Sequence, residues 1–172
     1  MENKNKFFRI SERQFTTDFA SYTNSKSNLY DENVNYNNIK LPKRATTGSA
    51  GYDFYSPVNF ILAPGKSIKI PTGIRVRLNS DNVLLIFPRS SLGFKYKLKI
   101  DNTVGVIDSD YFNSDNEGHI WVSMTNMSSD KTLKINKGDA ICQGLILTYG
   151  KVVDDDTNGI RNGGMGSTNN KS

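Results

Sequence analysis

Alternation and periodicity divide this chain before any single residue is interpreted. Residues 74–78, Ile-Arg-Val-Arg-Leu, alternate apolar and charged side chains, as a strand with one buried face requires. Residues 83–87, Val-Leu-Leu-Ile-Phe, are apolar throughout, as in a strand covered on both faces. Further runs rich in β-branched and aromatic residues lie between Gly, Pro, Asn and Asp clusters. They predict strands at 52–55, 58–62, 67–70, 120–126, 132–135 and 140–149. The helical period appears once. Phe15, Phe19 and Tyr22 recur at helical spacing behind Ser11 and Gln14, which stand as in a capping box, so a short helix is predicted over about 12–22.

The pattern gives three zones. Residues 1–38 form a polar, Asn-rich N-terminal extension of strand, short helix and loop, the loop covering 24–38. Residues 39–149 form a β domain, and residues 150–172 a flexible, Gly-rich tail. Many short strands and almost no helix predict an all-β sandwich or barrel. A length of 172 residues suits one domain. With 36% hydrophobic residues and a mean hydropathy of −0.52, a soluble, loop-rich fold is expected. No run approaches the roughly 18 apolar residues of a membrane span. The first residues show no basic segment followed by an apolar run, so no secretory signal is read.

Composition narrows the chemistry. One cysteine, Cys142, cannot form an intrachain disulfide, which fits a reducing, cytoplasmic compartment. One histidine, His119, together with that single thiol excludes a Cys/His zinc cluster, HExxH and CxxC chemistry. A metal would therefore rest on oxygen ligands, and a catalytic base would be Asp or Glu before His. The net charge of +5 permits an anionic partner. It leaves nucleic acid, a phosphorylated metabolite and simple solubility all open.

Four segments carry more polar specificity than strand connections need. Pro88-Arg89-Ser90-Ser91-Leu92-Gly93 follows the apolar strand directly. It is either a polar turn or a phosphate-binding loop of guanidinium and hydroxyl donors. In the segment Asn102 to Tyr111, Asp108 follows a Val-Ile pair. Its carboxylate could orient a water and take its proton, or Asp-Ser-Asp could simply close a hairpin as an Asx turn. Lys137-Gly138-Asp139 is a good β-turn, whereas Gln143 interrupts an apolar strand and needs partners or a ligand. Arg161 to Thr168 contains Gly163, Gly164 and Gly166. It could form an anion nest, although by composition alone it is a flexible tail, and it lacks the P-loop order.

Taken in order, GSAGYDF (48–54), PRSSLG (88–93), NTVGVIDSDY (102–111), KGDAICQG (137–144) and RNGGMGST (161–168) resemble the five motifs of trimeric dUTPases. The resemblance covers about residues 39–168. It implies a jelly-roll-like β-barrel (β-clip) and a homotrimer with sites at subunit interfaces, each closed by another subunit's tail. The implied reaction hydrolyses dUTP to dUMP and pyrophosphate with Mg²⁺, which keeps uracil out of DNA and supplies dUMP for dTMP synthesis. It implies neither stable nucleic acid binding nor membrane association.

Residue by residue, Asp108 matches the aspartate that holds the attacking water, and Tyr111 the tyrosine packed under deoxyribose. Asn102 matches the uracil-pairing asparagine, helped by the backbone of Val106 and Ile107. Arg89, Ser90 and Ser91 match the phosphate loop, and Gln143 the α-phosphate contact. Asp53 matches an aspartate that reaches the metal through water. In the tail, Arg161 matches the γ-phosphate arginine, and Gly166, Ser167 and Thr168 match further phosphate contacts. Met165 stands where the family usually has a Phe stacked on uracil.

Two further departures concern length: Phe112–Glu117 is longer than the usual turn, and residues 1–38 exceed the shortest family members. His119 and Trp121 are expected to be structural, and Cys142 a small buried side chain. A dCTP deaminase on the same fold is the nearest rival, but the strand HIWVSMTNM lacks the glutamate of those relatives. A nucleotide-gated binding protein with a regulatory protein partner is the rival from a different class.

Overall fold

In the computed structural model, which describes residues 5–24 and 34–159, alternation in the sequence becomes burial. The chain runs β1 (Lys6–Arg9), α1 (Glu12–Asn24), β2 (Lys43–Arg44), β3 (Tyr52–Tyr55), β4 (Phe60–Leu62), β5 (Ser67–Pro71), β6 (Ile74–Arg77) and β7 (Asn82–Pro88). It continues through α2 (Ser90–Tyr96), β8 (Leu98–Ile100), β9 (Gly105–Ile107), β10 (Trp121–Asn126), β11 (Leu133–Ile135) and β12 (Ala140–Thr148). Short 3-10 helices occupy Tyr36–Asn38 and Ser109–Asn113. All described strand pairs are antiparallel, in the sheets β2-β3-β12-β7-β9, β5-β10-β8, β1-β6 and β4-β11. The inward faces share one core containing Phe54, Ile70, Leu84, Met124 and Ile141, all fully buried.

Every predicted strand is present, with ends shifted by two residues at most. In β6, Ile74 and Val76 are buried while Arg77 is exposed, as alternation requires. The apolar run in β7 behaves differently from the expectation of cover on both faces. Leu84 and Ile86 are buried, but Val83, Leu85 and Phe87 are only half-buried in the single chain. Their direct cross-strand partners on β12 are Leu147, Leu145 and Gln143 respectively, and Leu85 also faces Val106 on β9. The outer face of this sheet is thus apolar, with Val106 57% and Leu147 45% exposed.

The helix predicted at 12–22 is α1. Phe15, Phe19 and Tyr22 are buried on one side of it, and Gln14 N–H donates to Ser11 Oγ at 3.1 Å. The capping box closes in an unexpected way. Ser11 N–H is taken by Glu117 Oε2 at 2.8 Å, and Ser11 Oγ donates to Glu117 Oε1 at 2.6 Å. A distant loop thereby supplies the acceptor that a capping box draws from its own helix. Aromatic contacts from Phe15 to Tyr36 and from Tyr22 to Trp121 seat α1 against the body. Each such side chain contributes about 1.5–3 kcal/mol when fully buried.

One expectation of the fold is corrected. A single short N-terminal helix was predicted, yet α2 forms directly after β7, where a polar turn was also open. Its sequence, Ser-Ser-Leu-Gly-Phe-Lys-Tyr, is too short to show a helical period. It ends where Lys97 turns left-handed and returns its N–H to Leu92 O.

Candidate active site

The described candidate residues collect into two pockets. The first, about 390 Å³, is lined by Asn102, Val106, Ile107, Asp108 and Tyr111, together with Trp121 and Ser123. The second, about 960 Å³, is lined by Asp53, Arg89, Ser90, Ser91 and Gln143, with Gly51 and Phe87 beside them. One strand serves both: Ile86 lines the first, and the next residues, Phe87 and Pro88, line the second. Arg161, Met165, Gly166, Ser167 and Thr168 lie outside the described residues.

In the first pocket, β9 leads into the 3-10 helix Ser109–Asn113. Asp108 occupies its N-cap position without a side-chain cap bond there, and its side chain is half-buried. Its backbone oxygen accepts Tyr111 N–H at 3.2 Å. Tyr111 is buried, and its hydroxyl donates to His119 O at 2.9 Å. Asn102 is exposed in the turn before β9. β9 is an edge strand, so adjacent residues send their backbone groups alternately toward β7 and away from it. Of Val106 and Ile107, only one can therefore offer both its N–H and its C=O to a base.

In the second pocket, β3 and β12 hold Asp53 directly across from Gln143. Gln143 Nε2 donates to Pro88 O at 3.1 Å, which gives its amide one protein partner. A Cβ on Gly51 would come within 2.6 Å of Gln143 Oε1, so glycine there allows the close approach. Arg89 Nε lies 3.0 Å from Asp53 Oδ1. The residue matched to phosphate and the residue matched to metal thus neutralise each other in this structure. Ser90 and Ser91 open α2 and are exposed toward the same space.

The residues expected to be structural fall as follows. His119 is fully buried. Its Nδ1 meets Asp18 Oδ2 at 2.5 Å, and its Nε2 accepts Gly73 N–H at 2.8 Å, which makes Nδ1 the protonated nitrogen. Burial opposes ionisation of Asp18, but hydrogen bonds from His119 and Gln14 outweigh it and hold the carboxyl below its ordinary value. Cys142 is fully buried, and burial, reinforced by Asp53, pushes its thiol well above the ordinary range. Trp121 packs on His119 and Tyr22 yet also reaches the first pocket, a placement the sequence reading missed. The available signal was register: Trp121 and Ser123 share the half-buried face of β10.

The model of the dUTPase family matches residues 37–169. The chain belongs to the dUTPase family. The deoxyuridine 5'-triphosphate nucleotidohydrolase of Lactococcus lactis is 42% identical over 134 residues, covering 76% of this chain and 88% of that one. The crystal structure of the Streptococcus mutans dUTPase is 35% identical, with a TM-score of 0.60 over 72% of this chain and 95% of that one. The dUTPase from phage phi11 of S. aureus, at 20% identity, shares the fold with a TM-score of 0.62 over 92% of this chain and 98% of that one. Hydrolysis of dUTP is the family's function, and the jelly-roll-like architecture is its fold.

The dUTPase reaction uses Mg²⁺. Among the described residues no group of three or more His, Cys, Asp or Glu could hold a metal. A lone carboxylate, Asp53, in a pocket whose other polar side chains are hydroxyl, amide and guanidinium groups fits an ion that keeps its waters and takes phosphate oxygens. Also among the described residues, no helix is long and apolar enough to cross a membrane.

Proposed function

We propose that this dUTPase positions its attacking water with Asp108. The carrying observation is that the half-buried Asp108 shares one pocket with Asn102, Val106, Ile107 and Tyr111. Uracil pairs with Asn102 and the β9 backbone, and Tyr111 forms the floor beneath deoxyribose. Water held by Asp108 attacks the α-phosphorus and yields its proton to the carboxylate. The bond from the α-phosphorus to the bridging oxygen breaks, and pyrophosphate leaves with that electron pair. Arg89, Ser90, Ser91 and Gln143 hold the triphosphate, with Asp53 reaching Mg²⁺ through water. The ion supplies neutralisation of phosphate charge. By their motif match, Arg161, Gly166, Ser167 and Thr168 close over the phosphates, and Met165 covers the base.

The assembly is a homotrimer whose sites form between chains. Two observations support this reading: the candidate residues divide between two separate pockets, and the outer face of β9-β7-β12 is largely apolar. A second copy seated on that face would cover Leu85, Val106 and Leu145 and could bring unlike pockets together. A cytoplasmic location fits the single, buried thiol.

The deciding experiment measures pyrophosphate release from dUTP, dTTP, dCTP and UTP with Mg²⁺. Release from dUTP alone is expected. Comparable rates on all four would overturn the base and sugar assignments, and ammonia release from dCTP would favour the deaminase.

A further inference from the structure

The longer turn Phe112–Glu117 is tied to Tyr111 at its hydroxyl. Asn116 Nδ2 donates to Tyr111 Oη at 3.0 Å. The orientation of that amide is fixed by its other end, where Oδ1 accepts Gly118 N–H at 3.2 Å. A backbone N–H can only donate, so the atom facing it is the oxygen and the atom facing Tyr111 is the NH₂. Tyr111 Oη therefore accepts from Asn116 while donating to His119 O. Both the ring position and the hydroxyl torsion are set.

The turn that carries Asn116 is itself held in place. His119 N–H returns to Asn116 O at 3.1 Å, and Ser114 N–H to Tyr111 O at 3.0 Å. Gly118 has φ +68°, and a Cβ there would meet Tyr111 O at 2.6 Å, so the turn folds directly over the tyrosine backbone. Glu117 is bound by Ser11 at the start of α1 and lies 3.7 Å from Arg75.

We propose that Asn116 is a positioning residue for sugar selectivity, fixing the Tyr111 ring through its hydroxyl. The proposal rests on the reading of Tyr111 as the floor beneath deoxyribose. Exclusion of a ribose hydroxyl depends on a wall that does not yield, and a phenol held at one point yields more than one held at two. Asn116 touches no substrate in this scheme and acts only through Tyr111.

The test compares kcat/KM for dUTP and for UTP in wild type, Asn116→Asp, Tyr111→Phe, the double variant and Tyr111→Leu, with thermal melts of each. Asn116→Asp keeps the acceptor for Gly118 N–H and removes the donor to Tyr111. It is expected to lower the dUTP/UTP preference about five- to tenfold, the scale of one hydrogen bond. In the Tyr111→Phe background the same change is expected to do nothing further to the preference, since the shared contact is already gone. Additive losses in the double variant would overturn the proposal by making Asn116 a general support of the turn. An unchanged preference in Asn116→Asp would overturn it as well, if Tyr111→Leu still lowers the preference. An unchanged preference in Tyr111→Leu would overturn the reading of Tyr111 itself. Asn116→Ala replaces Asn116→Asp should the latter fail to fold.

Discussion

The carboxylate of Asp18 and the buried ring of His119 meet at 2.5 Å across 101 residues of sequence. The contact joins the middle of α1 to the residue whose carbonyl receives the Tyr111 hydroxyl. It orders the ring so that Nε2 can satisfy Gly73 N–H, a donor in the turn between β5 and β6. A helix outside the two pockets is thereby connected to the floor of one of them.

Asp18→Asn is expected to lower stability by about 1–3 kcal/mol, the usual cost of weakening a buried charged hydrogen bond. The pH dependence has a definite sign. The Asp18 carboxyl is held below its ordinary value of 3.8 in the fold. Its contribution is therefore present above that value and is lost as pH falls through the lower, folded one. Melting temperatures below about pH 4 should fall more steeply for wild type than for Asp18→Asn. Parallel curves would remove Asp18 from the acid response.

Gly51→Ala is expected to leave the fold nearly as stable, because the atom it meets is the far end of a flexible side chain. Gln143 must swing away and give up its bond to Pro88 O. If Gln143 contacts phosphate, KM for dUTP rises severalfold with a smaller change in kcat. Steady-state kinetics beside a thermal melt checks both halves, and an unchanged KM would take Gln143 out of the site.

The strands were legible because one-sided burial writes a period of two, as in Ile74, Val76 and their charged neighbours. α1 was legible through Phe15, Phe19 and Tyr22. α2, β8 and β9 were not, because seven residues or fewer carry too little periodicity and their form is set by tertiary packing. The described motif residues were legible as candidates but not as two groups. Nothing local in the sequence says that Asp108 and Arg89 line different pockets, which depends on the register of β7 against β9 and β12. The pairing of Glu117 with Ser11 was equally hidden, since it joins residues 106 apart.

Asp108→Asn keeps the size of the side chain and removes its ability to take a proton. Turnover of dUTP should fall by about 10²–10⁴-fold, the usual range for a general base. Affinity for a non-hydrolysable dUTP analogue, measured by calorimetry, should change little, because uracil and sugar contacts lie on other residues of the pocket. Turnover within tenfold of wild type would end its assignment as the base.

Asp108 and Arg89 also allow the shared site to be tested directly. Asp108→Asn disables the first pocket and Arg89→Ala the second, so each variant alone should be nearly inactive. If a site takes its first pocket from one chain and its second from a neighbour, mixed trimers contain some sites with both pockets intact. Random assembly of equal amounts restores roughly a quarter of wild-type activity, one half for each independent choice of chain. If both pockets of a site came from the same chain, no mixture would recover anything. Leu85→Glu provides the control on assembly. It places a charge on the apolar outer face, opposite Leu145 and Val106, and burial of an unpaired charge there is costly. Sedimentation should show dissociation, and dUTP turnover should fall with it.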